Sequence, residues 1–388
     1  MKGLGSLFRF TAAAAAAAAI IYAIRRRRLT VIARRQLSPS EITVGAIWIG
    51  PGGGAHGDGN RPDLGHANAV ATVRAAFEAG IREFDTAPWY GAGASEERLG
   101  RALLELQGEG VKVTTKVGRL VRSLDGKPPA VPFDAPGRPP LSTRRFVNSY
   151  TRAGAELSRL ESLARLGADS VWGLRVHDPN DNSINKRGAP GGWVDEVAIT
   201  LDPSDGCLAA LVAMRERGLL GEVSLGMNAN AEAHQGVPHE IIRMLRTAPS
   251  GTFNAALLAG GWNLLSQDGL PCFEECERRG VCVHVAGVFA SGLLVGGSTY
   301  AYQQAPPAKV ELAKQWAALA AEHSLSLPAV AIAFAALPAC VTRVVLGMAT
   351  PEQVRDNLAW VREAGRVPPA LWAEARRRGL LSAAVPLP

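Results

Sequence analysis

Four polar residues in this chain have the types and spacing that proton transfer needs. Asp85 and Tyr90 lie in FDTAPWYGAGASEERLGRAL (84–103), Lys116 closes the run TTKVG, and His177 sits in RVHDP. A tyrosine phenol ionises near 10, too high to exchange protons readily at neutral pH. A neighbouring ammonium favours the phenolate and lowers that value. Lys116 supplies such a charge, Asp85 can hold the lysine and balance it, and His177 can hydrogen-bond a substrate oxygen and orient it. Each also has a plain reading: Asp85 as a loop cap, Lys116 as an ordinary ion-pair partner, His177 as a satisfied core histidine. What separates the readings is whether the fold brings the four together.

From about residue 41 the chain alternates short apolar, β-branched runs with stretches of helical length. The predicted strands are ITVGAIWIG (42–50), REFDTA (82–87), VKVTTKV (111–117), SVWGLRVHD (170–178), EVSLGMN (222–228), TFNAALLAG (252–260), VCVHVAGVF (281–289) and TRVVLGM (342–348). Helical patterns lie between them at 67–79, 95–107, 150–166, 206–218 and 310–322. Eight strands in βα alternation predict an α/β fold, a closed (β/α)8 TIM barrel, because successive strand–helix units build a parallel sheet. An open doubly wound sheet would need a GxGxxG turn opening a helix after the first strand, and Gly50, Gly52, Gly53 and Gly54 do not provide one. In a barrel the catalytic groups sit at the C-terminal strand ends. Asp85, Tyr90, Lys116 and His177 fall at three such ends in succession, so they are expected to meet at one mouth. Two long segments, 121–143 and 179–204, interrupt the rhythm after the third and fourth strands. Rich in Pro and Gly, they are expected to be irregular loops over the catalytic face, where such loops set substrate choice.

The chain has 388 residues, 47% hydrophobic and 20% charged, enough for a large core. Its formal charge of +7 is misleading. Residues 1–40 carry eight basic residues and no acidic one, so removing those eight from +7 leaves −1 for residues 41–388. A near-neutral body removes the main support for nucleic-acid binding. The 5 cysteines form no CxxC pair, which argues against a disulfide framework or a structural zinc site. Cys272 and Cys276, one helical turn apart, read best as thiols in a reducing compartment, and no metal site is expected.

Residues 1–40 are expected to be a leader outside the barrel, which then occupies 41–388. Alanines fill 12–19, Ile20, Ile21 and Ile24 follow, and four arginines stand at 25–28. The apolar stretch between Arg9 and Arg25 falls short of the roughly 20 residues that span a membrane. An acid-free, Arg-rich leader predicts an organellar transit peptide, chloroplast or mitochondrial. A membrane anchor through residues 1–28 or an untargeted cytoplasmic extension are the alternatives.

The order Asp85, Tyr90, Lys116, His177 resembles the catalytic tetrad of the aldo-keto reductases. The form DTAPWYGxGxSExRLGxAL, with SLARLGADSV (162–171) and VHDP (176–179), resembles the branch that contains D-threo-aldose 1-dehydrogenase, L-fucose and L-galactose dehydrogenases and pyridoxal 4-dehydrogenase. The likeness runs from about 41 to 365. It implies a nicotinamide cofactor and assigns residues to it. Asn228 is similar to the asparagine that holds the nicotinamide carboxamide. Trp262, in GGWNLL, stands where the family has an aromatic stacked on the nicotinamide, although an aromatic there equally serves as packing. Ser291, Gly292 and Leu293 resemble the pyrophosphate loop, expected to present backbone N–H groups. LGMATPEQVRDN (346–357), with Gly347, Gln353, Asp356 and Asn357, resembles the adenosine segment. There the chain departs from the NADP-preferring pattern, which has Lys near Gly347 and Arg near Gln353 to grip the 2′-phosphate. NAD is therefore at least as well suited as NADP, with Arg343 and Arg355 as possible substitutes. GGW at 260–262 also departs from the more usual Arg–Tyr pair.

The function this implies is oxidation of an aldose at C1 to a lactone, with Tyr90 as general acid/base. Two alternatives stand beside it: NADPH-dependent reduction of small aldehydes or ketones, and a regulatory cofactor-binding subunit. The expected partner is a small carbonyl or sugar substrate.

Overall fold

The computed structural model describes residues 29–32, 35–45, 64–107, 110–129, 144–180, 195–233 and 237–388. Eight parallel strands close a barrel: β1 (Ile42–Gly45), β2 (Glu83–Asp85), β3 (Lys112–Val117), β6 (Gly173–His177), β7 (Glu222–Asn228), β8 (Ala255–Ala259), β9 (Cys282–Ala286) and β12 (Val341–Gly347). Each pairs in parallel with its neighbours in the barrel, and β1 closes the ring on β12 through Thr43↔Val345 and Val44↔Leu346. Every predicted strand falls on one of these, and EVSLGMN matches β7 residue for residue. Of the first, Ile42–Gly45 is strand within the described residues, and residues 46–50 lie outside them.

Helices return the chain between the strands: α1 (Gly65–Glu78), α2 (Ala94–Leu106), α3 (Arg152–Leu166), α4 (Glu196–Leu201), α5 (Cys207–Glu216), α6 (Pro238–Thr247), α7 (Leu270–Arg279), α8 (Pro307–Glu322), α9 (Leu327–Ala335), α10 (Pro351–Ala364) and α11 (Pro369–Arg377). Local chemistry fixes their starts. Thr151 caps α3 by accepting from the Gly154 N–H, and Thr350 caps α10 by accepting from that of Gln353. Outward-facing strand residues pack with these helices into one continuous core, in which Trp262, Trp316 and Trp372 are among the largest wholly buried side chains. Among the described residues no single helix is long and apolar enough to cross a membrane.

The barrel interior is different. Leu257, Ala286 and Val345 form a small apolar cluster of their own, while Asp85, Lys116, Arg175, Ser224 and His284 are buried and mutually bonded. Barrels usually fill this space with branched apolar layers. A charged layer here must earn its place through its contacts.

The described parts of the two long segments include regular structure where irregular loops were expected. The first begins within strand β4 (Arg119–Ser123) and is followed by β5 (Arg144–Asn148), antiparallel to β4 outside the barrel; residues 130–143 lie outside the described part. The hairpin rests on the loop that carries Tyr90: Phe146 packs on Trp89 with ring centroids 3.9 Å apart, and Arg144 donates to the Ala92 carbonyl at 2.6 Å. The second segment contains α4, capped by Asp195, and its residues 181–194 lie outside the described part. The boundary of the leader also moves. Residues 29–32 and 35–40 belong to the barrel body: Leu29 and Leu37 are buried, the Ile32 N–H donates to Leu337 at 2.8 Å, and Arg35 pairs with Glu41 at 2.6 Å. The alanine run and the four arginines lie outside the described residues.

Candidate active site

Three strand ends and one turn converge at the C-terminal mouth. Asp85 ends β2, Lys116 is the penultimate residue of β3, and His177 ends β6. Tyr90 opens a 3-10 turn, Tyr90–Gly93, in which Gly91, Ala92 and Gly93 all have positive φ. The turn is braced from below by a buried pair, Glu96 with Arg165 at 2.6 Å, and Glu96 also accepts from Thr115 at 2.5 Å. Lys116 donates its ammonium to Asp85 Oδ1 and, at 2.9 Å, to the Thr86 carbonyl. The same ammonium lies 4.6 Å from the centroid of the Tyr90 ring, and the His177 ring meets Tyr90 edge-on at 5.8 Å. The four predicted residues are thus brought together.

Their electrostatics differ from the sequence expectation. Burial pushes the Tyr90 phenol well above its ordinary value, and the carboxylates of Asp85 and Asp178 push it further; Arg175 and Arg119 oppose them. The lowering expected from Lys116 is outweighed because the phenolate would be desolvated beside two carboxylates. Lys116 itself is lowered by burial, against the pull of Asp85. Tyr90 therefore holds its proton at neutral pH.

Several supporting residues were not singled out by sequence reasoning. Arg175, two residues before His177 on β6, donates from Nε to Asp85 Oδ2 at 2.8 Å, so Asp85 is shared between two cations. Asp178, with φ +42, accepts the Asn228 backbone N–H at 3.1 Å and has Oδ2 3.6 Å from His177 Nε2. Arg119 lies 3.8 Å from Asp178 Oδ2 and stacks over Trp89 at 4.5 Å. Tyr150 donates to the His177 carbonyl at 2.5 Å, which fixes the strand end that aims the histidine. It fits only because residue 118 is glycine: at φ +107, a Cβ there would lie 2.0 Å from the Tyr150 ring.

The residues assigned to a cofactor divide. Asn228 ends β7 and lines a cleft of about 70 Å³ with Ser291, Tyr302, Gly260 and Gly287. Its Oδ1 accepts from the Tyr302 hydroxyl at 2.9 Å. Tyr302 reaches the cleft from the short hairpin β10–β11 (Thr299–Tyr300 and Gln303–Gln304), a placement no local signal announces. In the Ala290–Val295 turn, Ser291 and Gly292 are left-handed and Leu293 is buried. The Gly292 N–H donates at 2.9 Å to Phe289, so within this trio that N–H is already engaged by the turn. Gly347 ends β12 beside open space. Gln353 accepts the Ala349 N–H at 2.7 Å and Asn357, buried, donates to the Gly347 carbonyl at 3.3 Å; both brace the loop, while Asp356 is exposed on α10.

Two assignments are corrected. Trp262 is wholly buried outside the barrel: its ring stacks on Phe334 at 4.9 Å, and its indole N–H donates to the Phe334 carbonyl at 3.2 Å. It is packing between β8 and α9, with no face at the mouth for a nicotinamide. Arg343, one proposed substitute for the missing phosphate-binding cations, lies toward the N-terminal end of β12 and pairs with Glu83 through two contacts of 2.8 Å. Trp262→Phe is expected to cost about 2 kcal/mol in urea unfolding, from the lost indole hydrogen bond and imperfect refilling. Cofactor affinity should be unchanged; a tenfold weaker dissociation constant would return Trp262 to the site.

The parallel barrel thus holds a buried Lys–Asp pair beneath a tyrosine at its mouth, and comparison with known proteins gives its family. The chain belongs to the aldo/keto reductase family, whose description matches residues 49–364. Pyridoxal 4-dehydrogenase of Microbacterium luteolum is 30% identical over 362 residues, covering 90% of this chain and 98% of that protein. D-threo-aldose 1-dehydrogenase of a Pseudomonas species is 30% identical over 325 residues, covering 82% and 90%. Among solved structures, a Bacillus halodurans aldo-keto reductase in its holo form superposes with a TM-score of 0.59 at 19% identity, over 92% of this chain and 98% of that one, a likeness of fold. Family membership makes the protein an NAD(P)-dependent oxidoreductase.

Proposed function

We propose that the protein oxidises an aldose at C1 to the lactone, with Tyr90 as the group that takes the hydroxyl proton. The observation that carries this is the mouth itself: the Tyr90 ring held 4.6 Å from the Lys116 ammonium and edge-on to His177. Two relatives, D-threo-aldose 1-dehydrogenase and L-galactose dehydrogenase, act on sugars by name, at 30% and 26% identity.

The nicotinamide, when bound, exchanges the hydride. The cleft beside Asn228 and the open space next to Gly347 suit such a group, with Asn228 for its amide end, Ser291 and Leu293 for its phosphates, and the loop braced by Gln353 and Asn357 for its adenosine end. The chain does the rest. His177 positions the substrate oxygen, with Asp178 close to its Nε2. Tyr90 exchanges a proton with that oxygen. Oxidation needs Tyr90 as phenolate, formed when the phenol gives its proton to solvent before the substrate reacts; Lys116, Arg175 and Arg119 stabilise that charge, and taking the hydroxyl proton returns Tyr90 to the phenol. With neither a Lys near Gly347 nor an Arg at 353, with Arg343 committed to Glu83 and Arg355 paired with Glu352 at 2.8 Å, the 2′-phosphate has few cations to meet, so NAD is the preferred form.

One observation favours a second reading. A phenol held in its protonated form suits donation to a carbonyl, hence reduction of small aldehydes. A panel of aldoses with NAD and NADP, and of aldehydes with NADH and NADPH, separates the two. Growth of absorbance with an aldose and NAD is the expected result; turnover of aldehydes alone would select the reductase, and a strong NADP preference would overturn the cofactor assignment.

A further inference from the structure

The charged layer inside the barrel is more than the Lys116–Asp85 pair. Arg175 lies at its centre, wholly buried, and commits every nitrogen of its guanidinium: Nε to Asp85 Oδ2 at 2.8 Å, Nη1 to Ser224 at 2.9 Å, and Nη2 to His284 Nδ1 at 2.7 Å. Glu222 stands 3.1 Å from Nη1. The barrel is shaped to admit it. Gly226 on β7 pairs in register with His177, and a Cβ there would lie 3.3 Å from Lys116 Cε and 3.4 Å from Arg175 Cδ. A larger side chain at 226 would fill the space the two cations use.

We propose that Arg175 is a positioning residue for proton transfer: by taking the second oxygen of Asp85 it fixes that carboxylate against Lys116 and adds a second positive charge beneath the Tyr90–Lys116 pair. This rests on Tyr90 being the proton-transfer group. Asp85 alone, facing Lys116 alone, would form a closed neutral pair and leave little field for the phenol above. Shared with Arg175, the three groups carry a net positive charge; Glu222, which balances it, pairs with Gly173 two residues farther from the mouth, so the phenol above meets the positive side of the layer, which favours phenolate over phenol. The direction of the electrostatics agrees, since Arg175 lowers both Tyr90 and Lys116. Other charges bear on the trio. Asp178 beyond β6 and Arg119 on β4 face Tyr90, and Tyr302 is close enough to interact with it. Glu222 on β7 and Glu83 on β2 face Arg175, while His284 on β9 is held neutral by burial, by Arg175 and by Arg343 on β12.

The test uses the full chain in four forms: wild type, Arg175→Met, Arg175→Lys, and the double variant Arg175→Met/Glu222→Gln. The pH profile of kcat/KM for oxidation is read for each. In parallel, tyrosinate absorbance is titrated as the difference from the same protein carrying Tyr90→Phe, which needs no turnover. Arg175→Met is expected to move the rising limb and the Tyr90 titration upward by roughly one pH unit. Arg175→Lys should restore both, because it keeps the charge. The double variant should regain stability, having no unpaired Glu222, yet keep the upward shift. The proposal is overturned if Arg175→Met loses stability or activity at every pH with the titration unmoved, or if the double variant restores the wild-type profile. Should no substrate turn over in wild type, the functional reading fails separately, and the absorbance titration still decides the role of Arg175.

Discussion

Replacing Tyr90 by phenylalanine is expected to lower kcat/KM by roughly 10²–10⁴-fold, the range that a positioned general acid or base contributes. The substitution keeps the ring, so the edge contact with His177 and the approach of the Lys116 ammonium persist. Only the exchangeable proton goes. Since the phenol is buried yet protonated, its removal relieves no charge, and the melting temperature should stay within a few degrees of wild type. Cofactor affinity, measured by fluorescence quenching, should also be retained, because Asn228, Ser291 and the Gly347 loop are untouched. Steady-state rates with the best substrate of the panel check this. Activity within about tenfold of wild type would show that the proton travels another way, for instance through His177.

The barrel was legible in the sequence because its strands must be buried on both faces, and that produces apolar β-branched runs regardless of what the site does. EVSLGMN could be bounded to the residue. The tetrad was legible for a different reason: each member sits at a strand end or in the turn just beyond one, so order along the chain translates directly into convergence. Trp262 misled because an aromatic beyond a strand end can turn inward or outward, and only the packing of Phe273 and Phe334 decides it. Tyr302 had no local signal at all. Arg175 did have one. It shares a strand face with His177 by the period of two, and a charged residue inside an apolar strand has to find partners. The raised Tyr90 phenol lay beyond reach for a related reason: Asp178 and Arg119 come from separate elements, and only the fold sets their distances.

The interior charges give the second large effect, on stability. Asp85 compensates both Lys116 and Arg175, which are each about 1% exposed. Asp85→Asn keeps the shape and removes the charge, leaving two buried cations facing one another. Removing one partner of a buried ion pair typically costs about 3–5 kcal/mol, and urea unfolding near neutral pH should show a loss of that order. The loss should shrink as pH rises. Lys116 is already lowered by burial, and without Asp85 the largest opposing attraction disappears, so the variant lowers it further. In the window between that folded value and the ordinary lysine value near 10.4, the unfolded chain binds the proton that the folded chain has released. Stability then rises with pH, at most by about 1.4 kcal/mol per unit for this one group. The urea midpoint of Asp85→Asn should therefore climb between pH 6.5 and 9 more steeply than that of wild type. Adding Arg175→Met together with Glu222→Gln should recover part of the loss, because it removes the second cation of the layer without leaving Glu222 unpaired. A midpoint equal to wild type, or one that falls with pH relative to wild type, would show that Lys116 and Arg175 draw their compensation from elsewhere, with Glu222 the nearest candidate.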